Sequence, residues 1–145
     1  MQEGYNVERL TEGFYALLER LELDYLLIDT HPGLNEETLL SIAISDELII
    51  LLRPDRQDFL GTAVTVEVAR KLDVKSLVMV LNKVLPSVAE RGFRAEVERI
   101  YGAPVIGMLP ESPDMLELGS NGLFILRFPD HPLSREIHRL AAHLP

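Results

Sequence analysis

The 145-residue sequence contains no cysteine and no tryptophan. The absence of cysteine excludes a disulfide framework, a thiolate metal site and a cysteine nucleophile. No apolar run approaches the roughly 18 residues of a membrane-spanning helix, and the N-terminus MQEGYNVERL does not resemble a signal peptide. These absences predict a cytoplasmic protein. The composition, with 47% hydrophobic and 26% charged residues, is that of an ordinary globular protein, and the length predicts one domain over residues 1–145.

Positive charge is scarce, because the formal net charge is −9, and this argues against a dominant nucleic-acid surface. The distribution is uneven: residues 1–52 hold 11 acidic and two basic residues, whereas residues 53–99 hold seven acidic and nine basic ones. The middle third therefore carries either a local basic face or a solvated surface of ion pairs, of which the second is the more common. Its main cations are Arg53, Arg56, Arg70, Lys71 and Lys75.

Two further kinds of catalytic site lack their usual motifs. The histidines, at positions 31, 131, 138 and 143, do not form an H-E-x-x-H pair, so a catalytic zinc site is not predicted. No G-x-S-x-G turn is present for a serine nucleophile either.

Short apolar runs alternate with helical patterns along the chain. Four runs predict buried strands: DYLLIDT (24–30), ELIILLR (47–53), SLVMVLNKV (76–84) and PVIGMLP (104–110). Helical spacing covers residues 6–21, 36–44, 58–72, 88–101, 113–118 and 130–144. The alternation predicts an α/β fold, a mostly parallel doubly wound sheet with helices on both faces.

Polar residues gather where the predicted strands end. The strands end in Asp29-Thr30, Arg53-Pro54-Asp55, Asn82-Lys83 and Leu109-Pro110-Glu111. Because ligands bind outside the carboxyl ends of strands in open α/β sheets, this edge is the predicted binding site. A carboxylate, an amide and cations there suit a metal–phosphate group and the edge of a base.

Asp29 allows two interpretations. A carboxylate after a hydrophobic strand is the Walker-B pattern, which holds Mg²⁺ in P-loop NTPases, and Gly33 would let the backbone approach a phosphate. Alternatively, Asp29 only caps the turn before the next helix. Its position alone does not decide between them.

Five segments, in order, resemble the MinD/ParA family of deviant-Walker P-loop ATPases. DYLLIDTHPG resembles the switch-II segment, and SIAISDELIILLRPD the next helix and strand. VMVLNKV resembles the strand ending in a base-reading asparagine. PVIGMLPESPDMLELGSNGLFI is similar to the segment after it, and FPDHPLSREIHRLAAHL to the closing helix. The resemblance covers nearly the whole chain from about residue 10 onward and implies a P-loop NTPase-like fold.

The resemblance implies roles for six residues. Asp29 would organise Mg²⁺ and the attacking water, and Gly33 would sense the γ-phosphate. Asn82 would bond the adenine edge, while Leu109, Pro110 and Glu111 would lie beside the adenine and ribose. His31 departs from the family pattern, which usually has a small residue or proline there. The C-terminus HLP also lacks the basic amphipathic helix that docks MinD on membranes.

The phosphate-binding loop is missing from the sequence. P-loop ATPases need G-x-x-x-x-G-K-[ST], and none of the nine glycines is followed by lysine. The resemblance implies that the opening strand, this loop and switch I lie N-terminal to Met1 in a full family member. The chain is then the C-terminal part of a larger ATPase, or a short relative that kept the fold and lost the chemistry.

Two functions remain open at this stage. In the first, the full protein binds Mg-ATP, dimerises and positions cellular cargo by slow hydrolysis, while this chain alone is inactive and binds no nucleotide tightly. In the second, the chain is a non-catalytic module for protein interaction or DNA partition. Either way, we expect it to pair with another copy or with the missing N-terminal half.

Overall fold

A computed structural model describes residues 7–31, 33–89 and 92–144, without the side chains of Val7 and Glu8. The helices in this part are α1 (Val7–Leu21), α2 (Glu36–Ile44), α3 (Arg56–Lys71), α4 (Pro86–Ala89), α5 (Phe93–Tyr101), α6 (Pro113–Leu118), α7 (Phe124–Arg127) and α8 (Pro132–Ala141). The strands are β1 (Glu47–Leu52), β2 (Ser76–Val84) and β3 (Val105–Pro110). Within the described residues, no helix combines the length and apolar character that crossing a membrane requires.

The three strands form one parallel sheet in the order β1-β2-β3. Glu47 pairs with Ser76 and Leu52 with Leu81, so β1 and β2 run together without a shift in register. Helices connect the strands, as parallel pairing requires. The predicted α/β fold with a parallel sheet is confirmed.

The strand predicted over residues 24–30 is wrong. Among the described residues, this segment joins no strand of the sheet, and it has no regular secondary structure. Leu27 is 80% exposed and Tyr25 is 58% exposed, although their pattern is that of a buried strand. A strand needs a hydrogen-bonded neighbour, and the described sheet does not provide one here.

The main core lies on one face of the sheet, under α3 and α5. Its buried residues come from all three strands, both helices and the turn after α5: Ile50, Leu52, Val66, Met79, Leu81, Val84, Phe93, Val97, Tyr101, Ala103 and Val105. The Phe59 and Phe93 rings meet edge to face at 5.8 Å, and the Tyr101 hydroxyl donates to the Phe59 carbonyl at 2.9 Å. These contacts hold α3 against α5 on this face of the sheet.

Helix α8 covers β3 from the opposite face. A Cβ placed on Gly107 would overlap the Leu140 side chain, so β3 and α8 lie too close together at this position for a side chain to fit between them. Leu109 and Ile137 pack against a second buried cluster formed by Leu118, Phe124 and Leu133. The sheet therefore carries helices on both faces, as predicted.

Several helix boundaries differ from the predictions. The helix predicted over 88–101 is divided into α4 and α5, and Gly92 (φ 74°) precedes α5 in a left-handed conformation that glycine adopts easily. Residues 90 and 91, part of that prediction, lie outside the described residues. Helix α3 begins two residues earlier than predicted because Asp55 caps it, accepting bonds from the Gln57 and Asp58 amides. The short helix α7 was not predicted.

Side chains bond the outer backbone groups of β3. The Val105 amide donates to Glu98 Oε1 at 3.0 Å, and the Val105 carbonyl accepts from Arg94 Nη1 at 2.7 Å. The Met108 amide donates to Glu136 Oε1 of α8 at 3.2 Å. Because β3 is the last strand in the described sheet order, these bonds occupy groups that a further strand would use.

Candidate nucleotide-binding edge

The parallel register aligns the carboxyl ends of the three strands. Leu52 pairs with Leu81, which pairs in turn with Met108. The next residues along the chain, Arg53 and Asn82, therefore lie at the same edge of the sheet. The predicted gathering of strand ends is confirmed for β1, β2 and β3.

At the end of β1, Arg53 forms an ion pair with Asp58. Its Nε and Nη2 atoms donate to the two Asp58 oxygens, each at 2.9 Å, and its backbone amide donates to Asp58 at 3.0 Å. These bonds hold the pKa of the Asp58 carboxyl below its ordinary value and raise that of Arg53. The pair fixes the turn between β1 and α3.

Of the other four main cations of the middle third, three also have partners within the chain. Arg70 donates to the carbonyls of Tyr101 and Gly102. Lys71 pairs with Glu67 at 3.0 Å and Lys75 with Asp46 at 2.7 Å. These contacts favour the surface of ion pairs over a basic face for nucleic acid.

Asn82 lies where β2 becomes irregular. It is half-buried, and its Oδ1 accepts a bond from the Lys83 amide at 3.0 Å. Lys83 has φ 54°, and the register with β3 shifts between Leu81 and Val84. Such left-handed conformations in non-glycine residues are uncommon and concentrate at functional sites. The local bond orients the Asn82 amide at the edge of the sheet.

Leu109, Pro110 and Glu111 lie beside the end of β2. Leu109 and Pro110 are the last two residues of β3, and Pro110 pairs with Val84. The exposed Glu111 donates its amide to the Val84 carbonyl at 3.3 Å. The structure thus brings these three residues and Asn82 to neighbouring strand ends.

Asp29 and Gly33 lie outside the sheet, because residues 24–30 form no strand. Both are exposed, and Gly33 has φ 102°, a conformation that favours glycine. A Cβ on Gly33 would meet nothing within 4 Å among the described residues, so its backbone is open to approach. Pro32, between them in the predicted turn, lies outside the described residues.

Asp29 borders a cavity of about 220 Å³ that the sequence did not predict. Its walls come from α1, residues 28–31 and α2. Thr38 of α2 is 6% exposed, and its Oγ1 has no hydrogen-bond partner within the part of the chain that the structure describes. In the sequence, the signal for this part of the structure was Asn35, three residues before Thr38. Its Oδ1 accepts from the Thr38 amide at 2.8 Å, so Asn35 is the N-cap at which α2 begins.

A second cavity, of about 310 Å³, lies at the other end of the chain. Asp114, Glu117, Asn121 and Arg127 contribute polar groups to it, and Phe128 an aromatic one. His131 Nε2 lies 3.4 Å from Asp114, and His131 Nδ1 accepts the Leu133 amide at the start of α8. Neither cavity is lined by both Asp29 and Asn82.

The donor set for a metal is small. Within residues 7–31, 33–89 and 92–144, no group of three or more histidine, aspartate or glutamate side chains could hold a metal ion. One carboxylate such as Asp29 nevertheless suits Mg²⁺, which is usually held by one or two carboxylates together with waters and substrate phosphates. The chemistry of Asp29 fits a magnesium ion that arrives with a nucleotide.

Residues 10–125 match the CobQ/CobB/MinD/ParA nucleotide binding domain family. An uncharacterized ATP-binding protein of Methanocaldococcus jannaschii is 29% identical over 138 residues, covering 94% of this chain and 51% of the relative. An iron-sulfur cluster carrier protein of Saccharolobus solfataricus is 31% identical over 135 residues, covering 83% of this chain and 45% of the relative. The chain thus spans about half the length of these relatives.

Among solved structures, the MinD cell division protein of Aquifex aeolicus superposes with a TM-score of 0.84. The match covers 94% of this chain and 59% of MinD at 18% sequence identity, and it supports the fold. The parallel sheet, the aligned strand ends and the match over residues 10–125 agree with one another. The chain belongs to the CobQ/CobB/MinD/ParA nucleotide binding domain family.

Proposed function

We propose that this chain is the C-terminal portion of an ATP-binding domain and contributes one side of a Mg-ATP site. The phosphate-binding loop would come from a segment that precedes these residues in the full protein. Two facts support this division: the chain spans 51% and 45% of two relatives, and none of its glycines is followed by lysine.

The observation that carries the proposal is the segment 24–30, which forms no strand of the described sheet. It has the sequence of a buried strand, it ends in Asp29, and Leu27 within it is 80% exposed. Burying one such leucine side chain is worth about 1.5–3 kcal/mol. A neighbouring strand from the N-terminal half would make that burial possible and would fix Asp29 at the edge of an enlarged sheet.

The exposed surface supports the same conclusion. The chain exposes 10616 Å² for its 16.3 kDa, whereas a folded monomer of that mass exposes roughly 7,500 Å². The excess of about 3,000 Å² on one chain is at or above the upper end of what one partner contributes to an obligate interface, roughly 1,000–2,500 Å². A missing half of the domain, or a second copy of the chain, accounts for surface on this scale.

Each edge residue then has a proposed role. Bound Mg²⁺ would neutralise charge on the phosphates; Asp29 would orient it and the attacking water, and the Gly33 backbone would contact the γ-phosphate. The Asn82 amide would bond the adenine edge, with Leu109, Pro110 and Glu111 beside the adenine and ribose. In the full protein this site would hydrolyse ATP slowly, drive dimerisation and position cargo in the cytoplasm.

The alternative is a non-catalytic module for partner proteins, which the exposed apolar segment would serve equally well. A DNA-partition role has less support, because Arg53, Lys71 and Lys75 are already engaged by acidic side chains. Nucleotide binding separates these functions.

The test compares Mg-ATP binding by calorimetry for the 145-residue chain and for the longer protein encoded with its upstream sequence. We expect little or no binding by the chain alone and clear binding by the longer protein. In the longer protein, Asn82→Ala should weaken ATP binding about tenfold, the loss expected for a well-made base contact. Asn121→Ala, in the cavity that Asn82 does not line, is the matched control and should bind normally.

Two results would contradict the proposal. Tight Mg-ATP binding by the 145-residue chain would show that no separate phosphate loop is needed. An upstream sequence without a phosphate-binding loop, in a longer protein that binds no ATP, would favour the interaction module.

A further inference from the structure

The turn between α6 and α7 contains an asparagine–glycine pair. Its residues run Gly119-Ser120-Asn121-Gly122, and all four are exposed. The Asn121 amide donates to the Leu118 carbonyl at 3.0 Å, which closes the turn after α6. Of the four asparagines in the sequence, at positions 6, 35, 82 and 121, Asn121 alone is followed by glycine. Exposed turns of small and polar residues are where a chain is most open to chemical attack.

The two groups that can react within this pair are not engaged by the fold. Among the described residues, the Asn121 side chain and the Gly122 amide have no hydrogen-bond partner. Gly122 has φ 146°, a conformation that favours glycine, and a Cβ built on it would meet nothing described within 4 Å. The Gly122 nitrogen can therefore approach the side-chain carbon of Asn121 with no side chain of its own in the way.

The two other described asparagines lack this freedom. Asn35 Oδ1 accepts the Thr38 amide at the start of α2, and Asn82 Oδ1 accepts the Lys83 amide near the end of β2. The residues that follow them, Glu36 and Lys83, carry side chains that hinder the approach of their nitrogens. Asn35 and Asn82 are thus controls within the same chain.

We propose that Asn121 is a site of spontaneous deamidation through a succinimide ring. The Gly122 nitrogen attacks Asn121 Cγ, so that an N–Cγ bond forms, the Cγ–Nδ2 bond breaks, and ammonia leaves with the Gly122 amide proton. Water then opens the ring. Opening at Cγ gives aspartate, whereas opening at the main-chain carbonyl carbon of residue 121 gives isoaspartate, in which the chain continues through the side chain.

The net reaction takes up one water and releases one ammonia, and it requires no cofactor. It therefore goes beyond the proposed ATP site and does not depend on it. Asparagine is among the residues that limit the chemical lifetime of proteins at high temperature.

The new carboxylate changes the charge of a cavity wall. Asn121 lines the cavity of about 310 Å³ together with Asp114, Glu117 and Arg127. Deamidation adds a third carboxylate to this lining, and the formal net charge of −9 becomes more negative by one. Anion-exchange chromatography should therefore retain the modified chain more strongly than the parent.

Isoaspartate also lengthens the main chain between α6 and α7 by one methylene. Helix α7 begins with Phe124, two residues after Gly122, and Phe124 belongs to the buried cluster with Leu118 and Leu133. Because protein interiors are close-packed, such a cluster responds to small displacements of the backbone. We expect the isoaspartate form to unfold at a lower temperature than the parent.

The experiment incubates the 145-residue chain at mildly alkaline pH and at a temperature where it stays folded. Peptide mass spectrometry follows each asparagine. We expect Asn121 to gain the mass of OH in place of NH₂, at a rate within several-fold of that of a blocked GSNGL peptide, while Asn35 and Asn82 stay unmodified. A rate at Asn121 far below that of the peptide, or equal modification of all three residues, would overturn the proposal.

Variants test the role of each member of the pair. Gly122→Ala places a side chain on the attacking residue and should slow the reaction many-fold, with circular dichroism to check the fold because φ at this position strains any side chain. Asn121→Gln keeps the glycine but must close a larger ring, so it should also react many-fold more slowly. Ser120→Ala, next to the pair, is the matched control and should react as the parent does. A parent-like rate in either of the first two variants would contradict the mechanism.

The products identify the route. A succinimide yields both aspartate and isoaspartate, so an isoaspartate-specific methyltransferase should label the incubated parent but not the fresh parent or fresh Asn121→Asp. Formation of aspartate alone would mean that water attacks the side-chain amide directly, and would contradict ring closure by Gly122.

Discussion

The sheet and the segment before it contain similar apolar sequences but differ in burial. In β2, Met79 and Leu81 have no exposed surface, whereas Leu27 in the segment 24–30 is 80% exposed. β2 has a strand on each side, and the segment 24–30 pairs with no strand of the described sheet. The difference teaches that an apolar run specifies a strand only where another strand provides its hydrogen bonds.

The largest expected effect tests this comparison directly. Leu81→Ala should lower the free energy of unfolding by about 2–5 kcal/mol, because it opens a cavity in a closed core. Leu27→Ala should change it by less than about 0.5 kcal/mol, as exposed substitutions usually do. Urea denaturation of both variants measures the difference. A loss at position 27 as large as that at position 81 would mean that the segment is buried in solution.

The next effect concerns the contact between the sheet and α8. Gly107→Ala should destabilise the chain by about 1–3 kcal/mol, because the new Cβ would overlap the Leu140 side chain. Gly61→Ala is the control: nothing described lies within 4 Å of its Cβ, and alanine favours helix α3 by up to about 1 kcal/mol. Thermal unfolding should move the two midpoints in opposite directions.

The N-cap residues of α3 and α2 allow a second comparison of the closed core with the open segment 24–30. Asp55 caps α3 over the closed core, and Asn35 caps α2 beside the open segment. Replacing either with alanine should cost about 1 kcal/mol. For Asp55→Ala we expect a lower free energy of global unfolding. For Asn35→Ala we expect mainly faster hydrogen exchange of the amides within α2. Identical exchange profiles for the two variants would remove the proposed difference between the regions.

The smallest effect is a dependence on pH. Because the pKa of Asp58 is lowered by Arg53 in the folded chain, its stabilising contribution is present above the unfolded pKa of aspartate and is lost as pH falls through the folded one. Asp58→Asn should therefore be less stable than the parent at neutral pH, and the gap in thermal midpoint should close in acid. A gap that is constant with pH would exclude the ion pair as its cause.

Much of the sheet could be predicted because its signals are local. β2 has the predicted bounds, Ser76–Val84, and α6 begins at the predicted residue, Pro113. The relation of Asn82 to Leu109, Pro110 and Glu111 also followed from the sequence, since parallel strands end at one edge.

The rest depended on non-local contacts. Residues 24–30 carry the local pattern of a strand, but pairing is decided by a neighbour that the pattern does not specify. The cavity at Thr38 arises from the meeting of α1, α2 and residues 28–31, which periodicity within any one of them cannot reveal. His131 is the N-cap of α8 and acts through Nδ1. Aspartate and serine are the usual N-cap residues, so the sequence favoured the neighbouring Asp130 for this role.

The bonds along β3 determine the direction in which this sheet can be extended. Arg94, Glu98 and Glu136 bond to backbone groups of Val105 and Met108, so a new strand would have to displace charged side chains before it could pair there. An additional strand would therefore pair at β1, the other outer strand of the described sheet. The same bonds also oppose edge-to-edge association of chains through β3. Such association is a risk here because many large apolar side chains are exposed.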